Sequence, residues 1–145
     1  MAETSQIQIR WLDHLRFQAE DAAGHTILLD TSEEHGGGTA FRPTDLLLVA
    51  LAGCTGMDVI SILQKKRQPV EGFEVVVRGQ RAEEHPRKFL RLEVEYVVYG
   101  AEVDPAALER AIQLSVEKYC SVHANLAPGT EIAHRYRIVP ALEAR

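Results

Sequence analysis

Alternation of polar and apolar residues comes first along this chain, and continuous apolarity comes second. Gln6-Ile7-Gln8-Ile9-Arg10-Trp11 has the two-residue period of a half-buried strand. Leu15-Arg16-Phe17-Gln18-Ala19 repeats it after a turn at Asp13-His14. Thr26-Ile27-Leu28-Leu29 returns after the turn Asp21-Ala22-Ala23-Gly24, so the chain opens as a small antiparallel meander. Asp30 to Phe41 then reads as a loop. Its glycines Gly36, Gly37 and Gly38 lack the Gly-Lys-Ser/Thr continuation of a phosphate loop. A mobile connector is the plain reading of this segment; a lid over the following helix is the sharper one.

Arg42 to Arg67, RPTDLLLVALAGCTGMDVISILQKKR, is the segment around which the rest is arranged. Pro43 suits the first position of a helix. Asp45 in the first turn and Lys65-Lys66-Arg67 at the far end both complement the helix dipole. A helix apolar on nearly all sides belongs in the middle of a structure. A membrane span needs about 20 predominantly apolar residues, and Asp58 interrupts the run before that length. The segment is therefore read as a core helix.

Phe73 to Gly79 and Phe89 to Tyr99 are strands joined by the turn Glu83 to Arg87, and together they read as a hairpin. Leu90, Leu92, Val94, Tyr96 and Val98 share one face of the longer strand, and Arg91, Glu93 and Glu95 the other. Asp104-Pro105 caps a second helix. Its stripe is Leu108, Ala111, Ile112, Ser115, Val116 and Tyr119, and it ends near Cys120. Glu131 to Val139 alternates again, with Ile132, His134, Tyr136 and Ile138 on one face. The order strands, helix, strands, helix, strand predicts one α+β domain over residues 1–145, with helices packed on antiparallel sheet.

Composition narrows the function classes. With 145 residues, 46% of them hydrophobic and 26% charged, the chain is long enough for a real core. A net charge of -5 argues against nucleic acid or an anionic membrane as partner. The start MAETSQIQIRW has no basic-then-apolar secretory pattern, so the expected compartment is the cytoplasm. There, a cysteine pair serves catalysis, redox change or metal binding more often than permanent cross-linking.

Cys54 and Cys120 are the only cysteines, each in a helix-associated, apolar setting. Each is open to two readings: a small buried hydrophobe, or half of a redox pair that meets in the fold. The thiolate is the reactive form, with an ordinary pKa of about 8.5. Cys54 lies several turns from the start of its helix, beyond the reach of the dipole. Asp58 at i+4 shares its face and disfavours the thiolate. An activating cation must come from elsewhere in the fold. A zinc site would require four ligands, drawn from Cys54, Cys120, His123 and one of His85 or His134. No local pair of pairs supports that, so neither a metal nor another cofactor is expected. His134, on the apolar face of a strand, reads as a hydrogen-bonded core histidine.

Two motifs carry a resemblance. Pro43-Thr44-Asp45-Leu46-Leu47-Leu48-Val49-Ala50-Leu51-Ala52-Gly53-Cys54 resembles the central-helix motif of the OsmC/Ohr family of thiol-dependent hydroperoxide reductases. Tyr119-Cys120-Ser121-Val122-His123-Ala124-Asn125-Leu126 is similar to its second-cysteine motif. The continuation Cys54 to Val59 and the turn Glu84-His85-Pro86 resemble an OsmC-like branch outside the two named peroxidase branches. The resemblance implies antiparallel sheets around a long buried central helix, in an intertwined homodimer with sites at the interface. It implies that Cys54 attacks an organic hydroperoxide and that Cys120 resolves the sulfenic acid to a disulfide. A dithiol, in part of the family a dihydrolipoyl group, then reduces it. The peroxidase branches carry a glutamate where this chain has Thr44, and an arginine beside the cysteine. Arg16 and, after it, Arg42 are the candidates for that arginine. The alternative is a dimeric small-ligand-binding or redox-sensing protein on the same scaffold.

Overall fold

The computed structural model describes residues 2–140. The chain divides into two compact units, one ending at Leu47 and the other starting at Leu48.

The first unit holds strands β1 (Ile7–Asp13), β2 (Arg16–Asp21) and β3 (Thr26–Leu29), paired as the antiparallel meander that the alternation predicts. His14 takes a positive φ of 42° at the first turn, where the Trp11 indole N–H donates to its carbonyl at 2.8 Å. The alternating apolar face of β1 is uncovered within the chain: Ile7, Ile9 and Trp11 are all exposed. The loop after β3 is not a loose connector. The buried Asp30 carboxylate accepts hydrogen bonds from the backbone N–H of Thr31, Gly37 and Thr39, and from the Thr39 hydroxyl at 2.6 Å. These bonds hold its pKa well below the usual carboxylate range, the Thr39 hydroxyl contributing most. A Cβ at Gly36 or Gly37 would lie 2.9 Å from an Asp30 carboxylate oxygen, which is why small residues wrap this acid.

Helix α1 (Pro43–Lys65) has the predicted proline start, Asp45 in its first turn and Lys65 in its last. It ends in a Schellman turn: Arg67 N–H donates to the Gln64 carbonyl and Gln68 N–H to that of Leu63, with Arg67 at φ 56°. An 18-residue window of mean hydropathy 2.1 would suit a membrane span by length and composition alone. Its stripe Leu51, Val59 and Leu63 belongs instead to the core of the second unit.

That unit is built on a three-stranded sheet ordered β4 (Gly72–Arg81), β5 (Phe89–Tyr99), β6 (Glu131–Val139). Leu92, Val94, Tyr96 and Val98 on β5 are buried as their spacing predicts, whereas Leu90, expected with them, is exposed at a register shift in the pairing with β4. Gly56 lets α1 approach β4, since a Cβ there would stand 3.2 Å from the Val75 side chain. The opposite face carries an ion-pair lattice in which Arg78 and Arg135 each reach both Glu93 and Glu95.

Three further features depart from the sequence reading. The last strand pairs with β5 in parallel, not antiparallel. A parallel neighbour requires a long crossover, and residues 100–130 supply it. Helix α1 is buried along one stripe rather than all round; Leu47, Val49 and Met57 are exposed. The second helix is three pieces: α2 (Pro105–Leu114), a π-helical turn (Ser115–Tyr119) and α3 (Ser121–Leu126). Asp104 caps α2 through Ala106 N–H, as the Asp-Pro start predicts. The wider turn then shifts the helical phase: Tyr119, expected inside, is 51% exposed, and Cys120 turns inward to 4%.

Candidate functional site

Cys54 sits halfway along α1, half-buried and packed against the core. Asp58 follows one turn later on the same face. Cys120 comes from the junction after the π-helical turn. Its N–H donates to the Ser115 carbonyl at 2.8 Å, a five-residue step, and its backbone then becomes extended. The Cys120 sulfur accepts from the His123 N–H at 3.3 Å. The two sulfurs and an Asp58 carboxylate oxygen all lie within 4.8 Å of one another. The sequence's only pair of thiols therefore meets, and both are free.

The electrostatics of the two differ. Burial pushes the Cys120 thiol up to about 11; the His123 N–H bond opposes this, and Cys54 and Asp58 add to it. Cys120 is thus a protonated thiol at neutral pH, held behind the more accessible Cys54.

Below the sulfurs runs a chain of hydrogen bonds that sequence reasoning missed. The Ser115 hydroxyl donates to Asp58 Oδ2 at 2.9 Å. Thr55 Oγ1 lies 2.8 Å from Ser115 Oγ and 2.8 Å from Tyr96 Oη, and Tyr96 Oη lies 3.0 Å from His134 Nδ1. Each hydroxyl has a single proton, so the first donation fixes the rest. Thr55 donates to Ser115, Tyr96 donates to Thr55, and His134 donates from Nδ1 to Tyr96. His134 Nε2 is then the bare acceptor, and it is the buried side-chain polar atom left without a partner among the described residues. Burial pushes the His134 imidazole down to about 4, with nearby His123 adding to it, so the ring is neutral as this assignment requires. Burial likewise raises the Tyr96 phenol to about 12. A signal for this chain existed. Thr55, Ser115, Tyr96 and His134 are each a polar interruption of an otherwise apolar face.

The family described as OsmC-like protein matches residues 36–135, and both cysteines fall inside that span. The chain belongs to the OsmC-like protein family. It is 41% identical over 136 residues to Protein YhfA of Escherichia coli (strain K12), covering 94% of this chain and 99% of that one. Among solved structures, a hypothetical protein from Aquifex aeolicus VF5 superposes with a TM-score of 0.83 at 34% identity, over 94% of this chain and 97% of the other. An organic hydroperoxide resistance protein OsmC from Legionella pneumophila shares the fold, with a TM-score of 0.68 over 94% of this chain and 98% of its own, at 14% identity.

Within this family fold the two candidate arginines have local partners. Arg16 pairs with Asp13 at 3.2 Å, and Arg42 lies in a two-pronged contact with Asp45 at 3.1 and 3.2 Å. His85 stays in the turn between β4 and β5.

Proposed function

We propose that this chain reduces organic hydroperoxides through a two-cysteine cycle. The Cys54 thiolate attacks the terminal peroxide oxygen. The O–O bond breaks, the alkoxide leaves and takes up a proton as the alcohol, and Cys54 becomes a sulfenic acid. Cys120 attacks that sulfur, expelling water and forming the disulfide. An external dithiol such as a dihydrolipoyl group restores both thiols by two exchanges. The observation that carries this reading is the convergence of the two sulfurs. The accessible thiol suits the attacking role, and the buried, protonated one suits the resolving role. Apolar packing around Cys54 favours an organic peroxide over hydrogen peroxide. A cycle reset by thiols suits a reducing compartment such as the cytoplasm.

The working form in this proposal is a homodimer. Cys54 lies between Ala50 and Met57 along one side of α1, and both of those are exposed. Only 28% of the helix's most apolar window is buried within one chain. A second copy laid on this face would cover the apolar stripe and close the site from water.

The test is consumption of cumene hydroperoxide with dihydrolipoamide as reductant. Wild-type protein is expected to turn over, Cys54→Ser to be inactive, and Cys120→Ser to stop after one equivalent. Wild-type protein that consumes no peroxide with any dithiol would overturn the proposal. The local pairing of Arg16 and Arg42, together with Thr44 in place of the glutamate, favours one other reading: a redox-sensing or ligand-binding protein. It predicts a single stoichiometric oxidation without turnover, or a small apolar molecule retained in native mass spectra.

A further inference from the structure

The resolving step needs a base that the two cysteines do not supply. Cys120 holds its proton at neutral pH, and the acid–base group beside both sulfurs is the Asp58 carboxyl. Resting on the two-cysteine cycle, we propose that Asp58 shuttles the proton in disulfide closure, and that the chain Ser115–Thr55–Tyr96–His134 holds it for that task. As the Cys120 sulfur attacks Cys54, its proton passes to the Asp58 carboxylate. The Cys54 S–O bond breaks, and the departing hydroxide takes that proton and leaves as water. The sum is one sulfenic acid and one thiol giving one disulfide and one water, with Asp58 returned to its carboxylate.

Geometry supports the assignment in four ways. Asp58 has an oxygen within 4.8 Å of both reacting sulfurs, and such a distance is bridged directly or through one water in the reacting complex. Its Oδ2 is already engaged by Ser115, so the carboxylate is held while its other lone pairs remain for the thiol proton. All the donors in the chain point toward Asp58, with Thr55, Ser115 and Tyr96 at or below 1% exposure. Every hydroxyl in that train already donates toward Asp58, so none of them is oriented to accept a proton coming back from it. The shuttled proton therefore goes on to the leaving oxygen. Asp58 also lines a cavity of about 280 Å³ with Ser61, Lys65 and Tyr119, which gives the released water a way out.

The titratable groups around the pair are Cys54 on α1, Tyr96 on β5, His123 on α3 and His134 on β6, with Lys65 and Tyr119 across the cavity. The phenol of Tyr96 is raised and both histidines are lowered by burial. The window from about pH 7 to 9 is then free of histidine and Tyr96 titration.

The experiment is rapid-mixing measurement of disulfide closure after one equivalent of cumene hydroperoxide, from pH 7 to 9, with sulfenic acid trapped by dimedone. Sulfenic acid formation is followed separately in Cys120→Ser. In wild-type protein the closure rate is expected to be independent of pH. In Asp58→Asn it should fall by about 10²–10⁴-fold at pH 7, rise about tenfold per pH unit and let trapped sulfenic acid accumulate. A purely structural role for Asp58 would not produce that change of slope. A wild-type rate rising tenfold per unit overturns the inference even if Asp58→Asn does not fold. So does an Asp58→Asn rate as fast and as flat as wild type. If Cys120→Ser forms no sulfenic acid, the two-cysteine cycle itself fails and takes the shuttle with it.

Discussion

At the scale of single residues, the site is a case of burial overruling sequence position. Cys120 caps a short helix and accepts an N–H bond, both of which favour a thiolate, yet burial wins and its pKa rises to about 11. Tyr96 rises to about 12 for the same reason. Both groups hold their proton more tightly folded than unfolded. They therefore contribute stability that is present below about pH 9 and lost as pH rises toward 11 and 12. Urea midpoints measured from pH 7 to 11 should be level at first and then fall. Cys120→Ser should flatten the early part of that fall; a wild-type midpoint level to pH 11 would contradict the assignment. The sequence singled out Cys54 and Cys120 as the candidate pair. Asp58 was legible as a neighbour of Cys54 through i+4 spacing. Its tie to Ser115 was not, because a contact between residues 57 positions apart leaves no trace in local periodicity.

At the scale of elements, periodicity located the strands and both helices, since each carries a regular apolar face, whether or not the chain itself covers it. It placed the end of the second helix near Cys120 but mistook the phase of its last turn, by assuming one continuous 3.6-residue period. The π-helical turn breaks that period, and with it the expectation that Tyr119 lies inside. The parallel pairing of β6 was hidden for a related reason: alternation says which side chains share a face but nothing of strand direction. Helix α1 leaves part of its apolar surface uncovered. Its exposed Val49 and Met57, at 47% and 73%, flank the half of the helix that carries Cys54. If a second copy covers this face, Val49→Glu combined with Met57→Glu should shift the mass seen by sedimentation from dimer to monomer and leave each chain folded. A wild-type monomer at all concentrations would contradict the dimer.

At the scale of the molecule, both cysteines sit in the second unit, on elements that lie far apart in sequence and that the fold brings together. Helix α1 carries Cys54, and the crossover from β5 to β6 brings Cys120 back to it. The family fold accounts for that meeting, while Thr44 and the two candidate arginines, Arg16 and Arg42, lie in the first unit. The proposed cycle stands or falls on whether the two thiols act as a pair. The most direct measurement is peptide mass spectrometry of native, reduced protein after one equivalent of cumene hydroperoxide, with free thiols alkylated. The two-cysteine cycle predicts a Cys54–Cys120 disulfide within each chain and no alkylation at either position. Oxidation confined to Cys54 while Cys120 remains alkylatable, or two thiols untouched by the peroxide, would contradict it.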